Sequence, residues 1–202
     1  MSDYRVVANV TELPSVTFGH RSLMWWGTLG FVVIEGSTLF ICLVSYFYLR
    51  RNFSAWPPEH VLRPALTVAT VQVALMLLSN GPMYVVDRAA RRLDLRTVRI
   101  GMVVCTLLAV VMCVLRAYEL RDLNVRWDSN AYGSIAWATL VTHSTLLLLQ
   151  TVESVVFTGF LLTRHVEHRQ YSDASDNALY WYFLTLAWVP LYVMVFLTPY
   201  LM

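Results

Sequence analysis

The chain is 202 residues long, and 57% of it is apolar with only 14% charged, against roughly one-quarter charged in a soluble domain. All 15 basic residues are arginine, the 13 acids nearly balance them, and a net charge of +2 leaves no basic face for nucleic acid. The composition, with a mean hydropathy of +0.55, excludes a soluble domain and describes an integral membrane protein.

A helix needs about 20 apolar residues to cross the hydrocarbon core. Five stretches meet or approach that length: 23–49, 66–86, 100–118, 132–162 and 179–202. The expected fold is therefore an all-α integral membrane protein, a bundle of five transmembrane helices forming one domain over 1–202. No short apolar run precedes Leu23, so no signal peptide is expected and the first helix should be retained.

Glu35 lies near the middle of the first span, where an acid costs at least ~2.5 kcal/mol on insertion scales and must be paired, neutral or turned towards protein. Two readings stay open: a proton or lipid-headgroup site, or a protonated acid tying two helices together. Beyond this span, Trp56-Pro57-Pro58 stiffens the connection, because each proline fixes φ and disfavours helix in the residue before it. The Asn80-Gly81-Pro82 triplet near the end of the second span marks a helix break close to the interface.

Cys105 and Cys113 in the third span, like Cys42 in the first, sit in apolar runs with no metal or redox spacing. Arg116 and Glu119 stand three apart where the third span closes, a spacing that allows an interfacial ion pair. In the fourth span His143, Gln150, Glu153 and Ser154 fall on one helical stripe that can face the bundle, as helix–helix hydrogen bonds or as a relay. His143 is the only histidine deep in a span, so this chain cannot supply an axial pair to a haem. His165 and His168 flank Glu167 in a loop without a third strong ligand, which reads as solvated loop.

Aromatic residues gather at the span ends as expected interface anchors: Trp25, Trp26, Tyr46, Tyr48, Trp56, Trp127, Tyr132, Tyr180, Trp181, Tyr182 and Tyr200. Nine arginines fall on the N-terminal side of the membrane and six on the other. The positive-inside rule then places the N-terminus in the cytoplasm and Met202 outside.

Taken in order, these features resemble subunit III of the haem-copper cytochrome c oxidases. The resemblance is carried by Phe31-Val32-Val33-Ile34-Glu35, Trp56-Pro57-Pro58, Arg116-Ala117-Tyr118-Glu119, Ala131-Tyr132-Gly133-Ser134, Thr142-His143, and Tyr180-Trp181-Tyr182-Phe183 with Trp188 and Tyr192. It spans about Leu23 to Phe196 and is similar to the five-helix bacterial form of the family. It implies a subunit without haem or copper of its own, in the bacterial plasma membrane, packed beside oxidase subunits I and II, which hold those cofactors. Those subunits serve aerobic respiration, passing electrons from cytochrome c (or quinol) to oxygen and translocating protons. It also implies that Glu35 lies near a cleft filled with phospholipid, and that the chain supports proton uptake and the lifetime of the complex.

The chain departs from the family pattern at Leu146, where the family carries a second histidine. It departs again in the last helix, where a Trp-His-Phe-x-Asp pattern reads Trp181-Tyr182-Phe183-Leu184-Thr185. These departures describe a divergent branch, serving an oxidase of unusual donor or a nitric-oxide-reductase-related complex. A different class of reading is a small transporter or proton channel with Glu35, His143 and Glu153 as its path. A membrane enzyme in its own right lacks a cluster of nucleophile, base and orienting group.

Overall fold

The structure is a computed structural model that describes residues 16–201. Arg5 and Met202, which entered the reading of orientation, lie outside the described residues. Within them the chain is helical, with no strand. Five helices are long and apolar enough to cross a membrane, so this is a multi-pass membrane protein.

These are α1 (Leu23–Arg51), α2 (Leu66–Arg91), α3 (Leu95–Asp122), α4 (Ala131–Thr163) and α5 (His168–Tyr192). A π-helical turn, Val193–Leu197, leads from α5 into a last short helix, α6 (Thr198–Leu201). Pro199 cannot donate a backbone bond and its ring crowds the preceding turn, which the wider π winding relieves. The Thr198 hydroxyl, 3.1 Å from the Val193 carbonyl, takes up one acceptor there.

Two helix bounds differ from expectation. α2 does not break at Asn80-Gly81-Pro82 but runs on to Arg91. The Ser79 hydroxyl donates to the Met76 carbonyl at 2.6 Å and the Asn80 amide to that of Leu77 at 3.2 Å, in the turn before the proline. Neighbouring α5 holds the same turn, Trp181 Nε1 donating to Ser79 Oγ at 3.0 Å and the Thr185 hydroxyl to Asn80 Oδ1 at 2.8 Å. α5, for its part, begins eleven residues before the apolar run, at His168, behind a capping box built by Glu167 and Gln170. Its polar opening turns extend the helix beyond the ~30 Å of hydrocarbon.

α5 is the centre of the bundle. It packs against α1, α2 and α4, while α3 bridges α2 to α4. α2 and α3 approach closely enough at Gly101 that a Cβ there would meet the Val86 side chain, so only glycine fits. α3 and α4 are joined by a polar seam: the Thr106 and Thr158 hydroxyls lie 2.8 Å apart, and Arg99 Nε donates to the Leu161 carbonyl at 2.7 Å, closing an orphan acceptor at the end of α4. α1 stands least enclosed, with only Leu39 and Tyr46 buried along its 29 residues.

Candidate functional site

α1 leaves the bundle on one side, and the gap it leaves is a cleft of about 1320 Å³ between the first half of α1, the last half of α4 and the first half of α5. Its lining mixes apolar side chains, among them Leu23, Trp26, Phe31, Phe157 and Phe160, with polar ones. Glu35 comes from α1, Gln150 and Glu153 from α4, and Asp173, Asp176, Asn177 and Tyr180 from α5, with Arg169 the one basic residue among them.

Glu35 is half-buried, and the Tyr180 hydroxyl donates a hydrogen bond to its carboxyl Oε2 across the helix pair. The carboxyl thus turns towards protein, as its depth requires. Both oxygens of Asp176, both polar atoms of the Asn177 amide and Gln150 Oε1 are buried without a partner. Each such atom costs free energy unless something arrives to pair with it. An occupant with both hydrogen-bonding and apolar parts fits this mixed lining.

Glu153 does not stay with the stripe expected of α4. His143, Gln150 and Ser154 are buried, whereas Glu153 is exposed on the open face of the cleft. A rotation of 100° per residue from Gln150 places it at the edge of the helix–helix contact, where the gap beside α1 leaves it room. Glu35 and Glu153 therefore share the cleft, and His143 is not part of its lining.

His143 belongs to a second, closed constellation. Arg116 Nη2 lies 3.2 Å from its Nδ1, and its Nε2 lies 3.1 Å from the Leu184 carbonyl. A neutral ring protonated on Nε2 satisfies both contacts, donating to the carbonyl and accepting from the guanidinium. Arg116 also sits with its guanidinium carbon 3.7 Å from the centre of the Trp188 ring. Its Nη1 lies 2.7 Å from Glu119 Oε2, an ion pair whose angle misses hydrogen-bond geometry. The expected pair is present and buried within the bundle, Arg116 being 3% and Glu119 0% exposed.

The anchoring aromatics divide. Trp26, Tyr48, Trp127 and Tyr200 are exposed, but Tyr46, Trp56, Tyr132 and Trp181 are buried. The Trp56 ring stands edge-on between Tyr46 and Tyr132, at 5.4 and 5.3 Å, so the Trp56-Pro57-Pro58 loop plugs into the space between α1 and α4. Tyr192 pairs its hydroxyl with that of Thr70 on α2 at 2.7 Å. Leu146 and Thr185 fill ordinary packing positions.

The cleft residues Asp173, Asp176, Asn177 and Tyr180 were not singled out as a group by the sequence. Their spacing of three, four and seven places them on one face of a helix, a signal legible only once α5 is known to start at His168. Among the described residues, no three His, Cys, Asp or Glu side chains are grouped to hold a metal ion.

No protein-family profile matches the chain. Its sequence does have a curated relative. The chain is similar to a cytochrome c oxidase subunit 3 from a Synechocystis species. The two are 22% identical over 198 residues, which cover 94% of this chain and 83% of the relative.

Proposed function

We propose that this chain is a non-catalytic, subunit III-like component of a respiratory haem-copper oxidase. The observation that carries the reading is the likeness to a cytochrome c oxidase subunit 3 along nearly the whole chain. The five-span bundle supports it.

In this reading the chain packs on the catalytic subunit of an oxidase in a bacterial plasma membrane, its N-terminus cytoplasmic and its C-terminus periplasmic. Haem and copper belong to subunits I and II. The residues present here do not fit a haem of their own, because the one deep histidine has both ring nitrogens engaged by Arg116 and Leu184. The cleft beside Glu35 holds phospholipid, its acyl part against Phe31, Phe157 and Phe160 and its head against the polar side chains. A lipid held there, together with the bundle's docking face, sustains proton uptake and the working lifetime of the complex.

The transporter or proton-channel reading gains support from Glu35 and Glu153 sharing one cleft, and none from His143, which is sealed in the other constellation. Oxygen consumption and proton release, followed over many turnovers in the oxidase with and without this chain, separate the two. An accessory subunit leaves initial oxygen reduction intact while pumping weakens or inactivation comes sooner.

A further inference from the structure

A second recess, of about 690 Å³, opens where α1 ends. It is bounded by the Trp56-Pro57-Pro58 loop and by Pro199 of α6. Its chemistry is the reverse of the acid-rich cleft. Arg50, Arg51 and Arg63 line it against a single acid, Glu59, and none of the four forms an ion pair among the described residues.

Two of the lining side chains also carry a buried donor without a well-formed hydrogen bond: Arg50 through Nε, and Trp56 through its indole N–H, which lies towards the Tyr46 hydroxyl but misses hydrogen-bond geometry with it. Trp56 is only 8% exposed. Behind it the hydroxyls of Tyr46 and Tyr132, each on a fully buried ring packed edge-on against Trp56, lack a well-formed hydrogen bond as well. All four groups can donate.

Part of this has an ordinary cause. Arg50 and Arg51 occupy the last turn of α1, where cations face the negative end of the helix dipole. That does not account for Arg63, which arrives from beyond the loop and is steadied by Tyr200, its guanidinium carbon 5.3 Å from the ring centre. Nor does it account for buried donors left without a well-formed hydrogen bond. Three guanidinium groups around one small recess repel each other unless an anion joins them, and a guanidinium fork matches the oxygens of a phosphate better than a point charge would. A helix end of a spanning bundle lies at headgroup depth, where phosphates are the abundant anions.

We propose that this recess binds a phosphate group, either the phosphodiester of a lipid head or free inorganic phosphate, through Arg50, Arg51, Arg63 and the Trp56 indole N–H. The inference stands apart from the oxidase reading, since it rests on the recess alone.

The test uses the full chain, stripped of lipid in a maltoside detergent. Phosphatidylglycerol is titrated in one arm and followed by native mass spectrometry; inorganic phosphate is titrated in the other and followed by ³¹P line broadening. Arg50→Gln with Arg63→Gln should weaken binding roughly tenfold or more, the scale of lost charge-assisted hydrogen bonds. Trp56→Phe keeps the edge-on packing, removes the donor, and should weaken binding several-fold. Arg51→Gln alters an exposed side chain that bonds to nothing, so its loss of binding is readable even if the other variants fail to fold. Arg121→Gln, at an interface outside the recess, should change nothing. Arginine-dependent binding in the lipid arm alone assigns a lipid head, and binding in the phosphate arm assigns free phosphate as sufficient. No binding in either arm, or an equal loss in Arg121→Gln, overturns the proposal.

Discussion

The Tyr180 hydroxyl of α5 donates its hydrogen bond to the Glu35 carboxyl of α1, and both residues line the acid-rich cleft. Along α1 only Leu39 and Tyr46 are buried, so this contact is one of few that tie its first half to the bundle. Glu35→Gln retains an acceptor for Tyr180 and should leave unfolding within roughly 0.5 kcal/mol of the parent, whereas Glu35→Ala or Tyr180→Phe should cost about 1 kcal/mol, within the range of membrane hydrogen bonds. Unfolding of the chain in mild detergent measures this. Equal tolerance of all three substitutions would show that the contact holds nothing.

The same pair separates a structural acid from a functional one. If Glu35→Gln abolishes oxygen turnover in a complex that still assembles, protonation of Glu35 is part of function and its tie to Tyr180 is incidental. The proposed accessory role expects assembly and initial turnover to survive.

Glu119 is the counter-ion of an arginine that has no route to water. Removing it alone, as Glu119→Leu, leaves Arg116 charged and buried, which should cost about 3–5 kcal/mol. Arg116→Met together with Glu119→Leu should recover most of that loss, because the desolvation cost of both charges disappears with them. His143 then loses the donor to its Nδ1, so recovery should stay incomplete. Denaturation of the single and double variants decides it, and a double variant worse than Glu119→Leu contradicts the argument.

Gly101 tests the α2–α3 packing. A methyl group at this position meets the Val86 side chain, so Gly101→Ala should destabilise by about 1–3 kcal/mol, the cost of overpacking. Val86→Ala on that background should restore part of the loss. If Gly101→Ala is neutral, the helices cross further apart than described.

Asp94, in the tight turn between α2 and α3, caps α3: it accepts from the Thr97 hydroxyl at 2.6 Å and from the Thr97 backbone N–H at 3.3 Å. These bonds, the hydroxyl's first, hold its carboxyl below the ordinary aspartate value. A lowered value means that the cap's contribution is whole above about pH 4, the unfolded aspartate value, and is lost as pH falls through the folded one. Asp94→Ala should therefore be less stable than the parent at neutral pH and converge with it in acid. Parallel curves over the acid range would contradict this.

Much of the fold was legible because a membrane span announces itself by length alone: all five stretches became helices, and Glu35 turned to protein as its cost demanded. Helix ends were less legible, since hydropathy sees the hydrocarbon and not the helix. The opening of α5 is polar yet helical because Glu167 and Gln170 cap it, and α2 runs on through Pro82 with its preceding turn held to α5 by Trp181 and Thr185. The Arg116–Glu119 pair was legible from its spacing, whereas its burial was not, since that depends on the neighbours of α3. A cleft beside Glu35 was expected only from the family resemblance; its size and its α5 lining could not be read from the residues, because they depend on how far α1 stands from α4 and α5, and no single helix encodes that separation.

The central claim is that this chain works as an accessory subunit of a haem-copper oxidase. Its most direct test is purification of the tagged chain from its native membrane in a mild detergent, followed by the visible spectrum and oxygen consumption of the eluate. The account predicts that haem absorbance and oxygen reduction co-elute with the chain in fixed proportion. A colourless, homogeneous preparation of the chain, with the membrane's oxygen-reducing haem left wholly behind, would contradict it.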